Sequence, residues 1–433
     1  MSKSKLNMSK NILFYADFGC DTGFAKVSKE LVDHLSKDNK IKITIFAIND
    51  YAPKPYQYKD NVQVIPAIYA KKETMRRTPN LLADSDIGDV YCRVGFLQLL
   101  FQNNFDLLFC LQDVEIINQI AKDLVIVKNE KRKQNKPNFK SLIYFPIDSV
   151  PRKSDLSVIN FFDEVVTYTE YGKQVLTSYF TKQKASKIKV IPHGINTSEF
   201  YPFTPEKKLK VKEKYFGSRD VFVIGSVNRN SPRKDIASLV VGFSKFKQNH
   251  QPNAILYLHC NPNDPAGINV EILCERLQLQ YGVDVITPKD YNENKGYEVQ
   301  VLNEIYNSFD VFMTTTTSEG WGLSITEAMA TKTLVVCPKH TSLTEITDDG
   351  KNSLNFIFNQ EMVFVNDFEK VRYITNPNEV CTLMQVVYNL KNEPEDFQEA
   401  IRQIIQRAYD KITATTWSAV SKEFKSLVDK LLK

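Results

Sequence analysis

Two glutamates, Glu319 and Glu327, stand in the stretch Ser318-Glu319-Gly320-Trp321-Gly322-Leu323-Ser324-Ile325-Thr326-Glu327-Ala328-Met329-Ala330. Carboxylates accept hydrogen bonds from hydroxyls. Backbone N–H groups of Gly320 to Leu323, unpaired at a helix start, would attract an anion. Together they suit a phosphate with a sugar on each side. Arg229 and Lys234 form a cationic pair in Asn228-Arg229-Asn230-Ser231-Pro232-Arg233-Lys234-Asp235. Such side chains complement phosphate charge, and arginine forks onto two oxygens. Asp113 and Asp148 could each accept a proton or a sugar hydroxyl bond. His259 and Cys260 have no partner at metal-ligand spacing, so no metal site is expected. The lone Asp84-Ser85-Asp86 has no strand before it and reads as a loop.

These residues need strand ends and helix starts to hold them. The apolar run Phe309–Met313, followed by Thr314 to Thr317, reads as a buried parallel strand reaching its carboxyl end. Ile325–Ala330 has helix-forming composition, which makes a strand–turn–helix unit with glycines at the turn. Val221–Val227 reads as a strand leading to the Arg229–Lys234 loop and a helix over Ile236–Phe246. The chain opens in the same way: strand Asn11–Tyr15, a loop with Gly19 and Gly23, and a helix over Lys26–Leu35. That loop is not G-x-G-x-x-G, so a dinucleotide site is not supported.

Strands are expected at Ile41–Ile48, Val62–Ile65, Leu107–Leu111, Ser141–Phe145, Glu164–Tyr168 and Ile188–Ile191. Others are expected at Ala254–His259, Val283–Ile286, Asp310–Met313 and Thr333–Cys337. Alternation with helical stretches predicts α/β doubly wound parallel sheets, which bind ligands beyond the strands' carboxyl ends. Asp17, Gln112, Asp113, Asp148 and Glu170 are the polar residues there in the first half. Helices are expected over Asn292–Glu304, Pro377–Leu390 and Asp396–Lys433.

The 433 residues are too many for one ordinary core and predict two domains. A hydrophobic content of 42% with 25% charged residues marks a soluble globular chain. No apolar run is long enough for a transmembrane helix, and the N-terminus lacks a secretory signal's apolar core. Seven scattered cysteines without a C-x-x-C pair read as reduced cytoplasmic thiols. Net charge is +5, with 29 Lys/Arg against 22 Asp/Glu in residues 1–200. Lys71–Arg77 and Lys128–Lys140 supply much of that excess, as solvated faces or as a basic rim for an anionic acceptor or peripheral membrane contact. No nucleic-acid-binding module accompanies it.

The Glu319–Glu327 stretch, with its Gly-Trp-Gly-Leu and Glu-Ala-Met-Ala flanks, resembles the E-x7-E signature of glycosyltransferase family 4 (group 1 glycosyltransferases). Arg229 and Lys234 resemble the family's diphosphate-gripping pair, and Ile191-Pro192-His193-Gly194 resembles its interdomain segment. Two departures stand out. Asp235 stands where most relatives have glycine. The strand ending at Asp148 lacks the histidine many members carry, so Asp148 either replaces it or caps a turn.

The resemblance implies a GT-B fold of two Rossmann-like domains facing across a cleft. An acceptor-binding domain would span 1–198, with about 416–433 packing back on it. A nucleotide-sugar-binding domain would span 199–415. It implies a retaining, metal-independent transferase moving a sugar from a UDP- or GDP-sugar to a glycan, a lipid-linked sugar or a protein glycan, without a bound cofactor. Donor contacts would come from Gly19, Gly23, Arg229, Lys234, Glu319, Gly320, Trp321, Gly322, Leu323 and Glu327. Catalysis would fall to Glu319, Arg229, Lys234 and Asp148. A nucleotide-sugar epimerase and a non-catalytic sugar-nucleotide-binding scaffold remain the alternatives.

Overall fold

Continuous apolar runs such as Leu107–Leu111, buried at every residue, form the strands of two sheets that are parallel almost throughout. The structure is a computed structural model describing residues 9–77, 91–250, 252–289, 291, 296–364, 367 and 369–433. The chain divides into two units. One holds Met1–Pro146, Pro151–His193 and Trp417–Lys433; the other holds Ile147–Val150 and Gly194–Thr416. The Asp84-Ser85-Asp86 triplet lies outside the described residues.

The first unit begins with β1 (Lys10–Asp17), α1 (Gly23–Leu35), β2 (Ile41–Ile48), β3 (Tyr56–Lys59) and β4 (Val62–Pro66). It continues with α2 (Ala67–Arg77), α3 (Arg93–Gln102), β5 (Leu107–Leu111), α4 (Val114–Lys133) and β6 (Lys140–Phe145). Then come β7 (Glu164–Thr167), α5 (Glu170–Thr177), α6 (Lys182–Ala185) and β8 (Ile188–Val190). The strand order is β3-β4-β2-β1-β5-β6-β7-β8, parallel except for the antiparallel β3–β4 pair. Helix α1 starts where Thr22 caps the amide of Ala25, and it buries Ala25, Val27, Leu31, Val32 and Leu35. The basic run on α4 is not simply solvated: Lys131 is buried and donates to the Asn103 carbonyl at 2.7 Å.

The second unit holds α7 (Pro205–Phe216), β9 (Phe222–Val227), α8 (Ile236–His250), β10 (Ala254–His259), α9 (Val270–Arg276) and β11 (Val285–Ile286). Next are α10 (Val299–Ser308), β12 (Val311–Met313), α11 (Leu323–Ala330), β13 (Leu334–Pro338), α12 (Leu343–Ile346) and β14 (Leu354–Phe356). A hairpin of β15 (Phe358–Phe364) and β16 (Lys370–Thr375) precedes α13 (Pro377–Asn389) and α14 (Glu395–Thr413). The parallel sheet runs β11-β10-β9-β12-β13-β14, and β15–β16 pair antiparallel. Helix α7 begins at a Thr204 cap with Pro205 in its first turn and ends at Gly217 in the left-handed region.

The last helix, α15 (Trp417–Leu431), belongs to the first unit, where Phe424 packs on Phe109 and Tyr144. Lys10 and Asp38 anchor it through Asp429 and Lys425 at 2.6 and 2.9 Å. The helix-forming stretch Asp396–Lys433 is therefore two helices, with the break just before Trp417. Thr415 and Thr416 leave the helix to pair with Ile195, whose amide donates to the Thr415 carbonyl. Several other expectations differ in detail. The strand expected at Val283–Ile286 shrinks to two residues because amides of Val283 and Asp284 turn back onto Gln280. Of the helix expected over Asn292–Glu304, residues 292–295 lie outside the described residues and α10 begins at Val299; β3, β14, β15 and β16 were not expected at all.

Candidate active site

The donor-type residues gather where β12 ends. Beyond Met313, the four threonines lash that strand end to the loop after β9. Thr315 donates to the Asp235 carbonyl at 2.7 Å, and Thr317 donates to the Arg233 carbonyl through both amide and hydroxyl. Pro232–Lys234 is a single 3-10 turn, which aims Arg233 and Lys234 at Glu319. Lys234 Nζ lies 2.5 Å from Glu319 Oε1, and Arg233 Nη1 lies 3.1 Å from Glu319 Oε2. Thr316 adds a hydroxyl to Oε1 at 2.8 Å. The Glu319 amide donates to Thr341, and its carbonyl accepts from Ser342.

Glu319 is 6% exposed. Burial by itself would push its carboxyl up, but Lys234 and Arg233 outweigh burial and hold it at about 2. Burial pulls the Lys234 ammonium down, opposed by the same carboxylate. With two cations on one carboxylate, the pair stands as ammonium and carboxylate.

Gly322 is the N-cap of α11 with φ +100°, a conformation open chiefly to glycine. The amides of Ile325 and Thr326 both close on its carbonyl at 3.1 Å, so those of Leu323 and Ser324 have no partner within the helix. Gly320 and Trp321 form the turn before it, with the Trp321 ring packed against the core around Phe312 and Ile325. Glu327 faces inward from α11, where the Tyr306 hydroxyl donates to its Oε2 at 2.6 Å.

Arg229 is turned elsewhere. Its guanidinium grips Asp264, Nε to Oδ2 at 2.7 Å and Nη2 to Oδ1 at 3.3 Å, while most of the side chain stays exposed. Asp235 occupies the left-handed region at φ +46°, which accounts for glycine in relatives. It keeps that conformation while capping α8, accepting from the Ser238 amide at 3.2 Å. Burial raises its carboxyl to about 6.

Asp148 follows β6 in sequence but packs in the second unit, whereas the expected boundary leaves it in the first domain. The reason is electrostatic. Its carboxylate meets Arg372 Nη1 at 2.9 Å and Lys370 Nζ at 3.5 Å. Burial opposes its charge, but Lys370, Arg372 and Arg233 hold it well below the usual carboxylate range. Asp148 is thus the counter-ion of a buried arginine, and a carboxylate so placed is a weak base.

In the first unit, Gly19 takes φ +78° against the Asp50 carboxylate, and Gly23 opens α1. Asp17 accepts from Thr22, Asn49 and Gln112 at 2.7, 3.1 and 2.9 Å. Asp113 stands at the start of α4 without capping it, and Glu170 is exposed. His193 sits among Tyr144, Tyr168 and Trp417, with Nδ1 2.8 Å from the Tyr144 hydroxyl; burial holds it neutral, with its pKa at about 3. That is a core histidine.

Arg233, Asp264 and Arg372 were not singled out from the sequence. Arg233 had a signal, since it lies between Arg229 and Lys234. The alternation Val371-Arg372-Tyr373-Ile374 offered only a faint one for β16. Among the described residues, no three His, Cys, Asp or Glu side chains come together as a metal site, and no helix is long and apolar enough to cross a membrane. All seven cysteines are buried free thiols.

Residues 208–372 match the family model described as glycosyl transferases group 1. Alpha-monoglucosyldiacylglycerol synthase of Acholeplasma laidlawii is 27% identical over 177 residues, 40% of this chain and 42% of that one. The chain spans 35% to 42% of the length of the curated relatives it matches. Sucrose-phosphate synthase from Thermosynechococcus elongatus superposes with a TM-score of 0.68 at 17% identity, covering 98% of this chain and 99% of that structure. The Anabaena HepE structure gives 0.63 at 16% identity, over 97% and 100%. Residues 208–372 are therefore similar to the group 1 glycosyl transferases, within a chain that has the GT-B fold.

Proposed function

We propose that the protein is a retaining glycosyltransferase that uses a nucleotide-diphosphate sugar and needs no metal. The observation that carries this reading is the buried Glu319 carboxylate clamped by Lys234 and Arg233 at the start of a strand–turn–helix unit. It puts cations, helix-start amides and a sugar-binding carboxylate in one place. The Anabaena structure holds UDP and glucose, which favours a UDP-sugar as donor. Names of the relatives favour hydroxyl acceptors on a sugar phosphate or a glycolipid.

In this mechanism Lys234 and the amides of Gly320 to Leu323 bind the diphosphate, and Arg229 joins them only by releasing Asp264. An ammonium has three donors, so Lys234 can hold Glu319 and a phosphate oxygen together. Their attraction strengthens as the bond from the anomeric carbon to the phosphate oxygen breaks and charge builds on the leaving group. Glu327, oriented by Tyr306, binds ribose hydroxyls, and Glu319 binds hydroxyls of the transferred sugar. The acceptor oxygen bonds to the anomeric carbon on the leaving-group side. Its proton passes to the departing phosphate oxygen, so no separate base is required.

A thermal-shift panel of UDP, GDP, ADP and their common sugars, with and without EDTA, tests the reading. A ligand that binds only the native state raises its melting temperature. The expected result is a shift selective for one base, insensitive to EDTA and absent in Lys234→Ala. No shift with any nucleotide, from folded protein, would overturn it; a shift without hydrolysis of the bound donor would favour the non-catalytic scaffold, and a shift that EDTA abolishes would overturn the metal-free mechanism.

A further inference from the structure

The mechanism above makes no use of Arg372, one of the most deeply buried side chains in the second unit at 1% exposure. It comes from the β15–β16 hairpin rather than from the parallel sheet. Its guanidinium spends Nε and Nη2 on Asp367 and divides Nη1 between Asp148 Oδ2 and the Ser318 hydroxyl. Ser318 immediately precedes Glu319, and the Ser318 carbonyl accepts from Arg233 Nη1 at 2.8 Å. Two guanidiniums therefore hold the Ser318 residue, one at its carbonyl and one at its hydroxyl. The hairpin is also tied down beside them. The Tyr373 amide donates to the Thr317 carbonyl at 3.1 Å, and the Tyr373 ring stacks on His340, 5.0 Å between centroids.

A buried arginine with this many partners is costly to desolvate, and hydrophobic packing would stabilise a hairpin as well. What an apolar side chain could not do is fix the orientation of a neighbouring polar residue. A planar fork meets several acceptors at set angles, which a lysine cannot do. Asp148 and Asp367 keep the guanidinium in place, and Ser318 receives the result.

We propose that Arg372 is a positioning residue that sets Glu319 against the transferred sugar through Ser318, with Asp148 and Asp367 as its counter-ions. The inference rests on the reading of Glu319 as the carboxylate that binds the donor sugar. It predicts a division of labour. Lys234 and Glu327 govern affinity for the nucleoside diphosphate, whereas Arg372 governs what the attached sugar adds.

The test uses UDP and UDP-glucose, or the matching pair that the thermal-shift panel selects. Affinity for each, and kcat for donor hydrolysis, are measured on the full chain, wild type and variants. Arg372→Gln should bind the nucleoside diphosphate within about twofold of wild type, bind the nucleotide sugar about tenfold more weakly and lose kcat about tenfold or more. Ser318→Ala, which removes the contact without orphaning a charge, should move the same way by a smaller factor. Arg372→Lys should fall between wild type and Arg372→Gln. Wild-type kcat in Arg372→Gln would overturn the proposal, as would equal weakening of both ligands, which marks a purely structural role. Should Arg372→Gln fail to fold, Ser318→Ala decides, and unchanged kcat there overturns it. If wild type binds neither ligand of any pair, the functional reading falls and the inference with it. If wild type binds and turns over while the variants match it, the inference alone falls.

Discussion

Asp17 and Glu319 are both buried carboxylates at the carboxyl end of a central parallel strand, Asp17 as the last residue of β1 in the first unit and Glu319 in the turn that follows β12 in the second. Their surroundings differ in kind. Neutral donors surround Asp17: the Thr22 hydroxyl and the Asn49 and Gln112 amides. Burial wins there, and its carboxyl rises to about 6. Glu319 has cations, and despite burial it is held at about 2. Three good hydrogen bonds satisfy a carboxylate's geometry but do not replace the hydration its charge has lost; a paired ammonium and guanidinium do. The same end of a parallel sheet thus holds a carboxylate clasped by neutral donors that follow β1, β2 and β5 in one unit and a charged site fit for an anionic ligand in the other.

The sharpest way to break the contrast is to remove a cation. Lys234→Met should destabilise the second unit by about 3 kcal/mol or more, because Glu319 is left buried with only Arg233. Adding Glu319→Gln should recover much of that loss. Urea denaturation of the single and double variants checks it, and additive losses would mean that the pair is not coupled.

Next comes pH, where the two carboxylates act in opposite directions. Glu319 has a folded pKa lowered from 4.5 to about 2, so its contribution is full above pH 4.5 and is lost as pH falls toward 2. Asp17 has a folded pKa raised from 3.8 to about 6, so its contribution is full below pH 3.8 and is lost as pH rises through 6. Each effect is roughly 3 kcal/mol by the usual conversion of a pKa shift. Stability measured from pH 2.5 to 7 should lose its low-pH slope in Glu319→Gln and its slope between pH 4 and 6 in Asp17→Asn. An unaltered profile in Asp17→Asn would mean that burial does not raise Asp17.

The smallest effect concerns the loop after Asp17. A Cβ at Gly19 would lie 2.3 Å from Asp50 Oδ2 in a left-handed backbone, whereas one at Gly217, also left-handed, meets nothing within 4 Å. Gly217→Ala should cost about 1 kcal/mol from conformation alone, and Gly19→Ala about 1–2 kcal/mol more from the clash. Equal losses in thermal unfolding would show that the Gly19 loop yields easily.

The candidate site was legible in the sequence where its chemistry is local. The strand–turn–helix around Glu319 was readable because an apolar run, two glycines and helix-forming residues follow one another within a few turns. Gly322 takes the left-handed conformation in that turn. Lys234 was readable from its strand-loop context, and Arg233 stood beside it. Contacts that depend on distant chain were not. Arg229 reaches Asp264 after β10, Asp148 leaves its own sheet for Arg372, and Glu327 meets Tyr306 from α10. His193 was readable only as part of an interdomain segment, and its aromatic core neighbours Tyr144 and Trp417 lie far away along the chain.

By itself the sequence determined the period of each element, the glycines that turns require and the residue types present at each strand end. Those follow from backbone sterics and from the burial pattern of near neighbours. Only the tertiary structure decided which charges face one another, and therefore which carboxylate stays ionised, which acid each arginine meets and which histidine is inert. Charge state depends on desolvation and on partners within a few ångströms, and in this fold those partners come from segments as distant as Asp148 and Arg372.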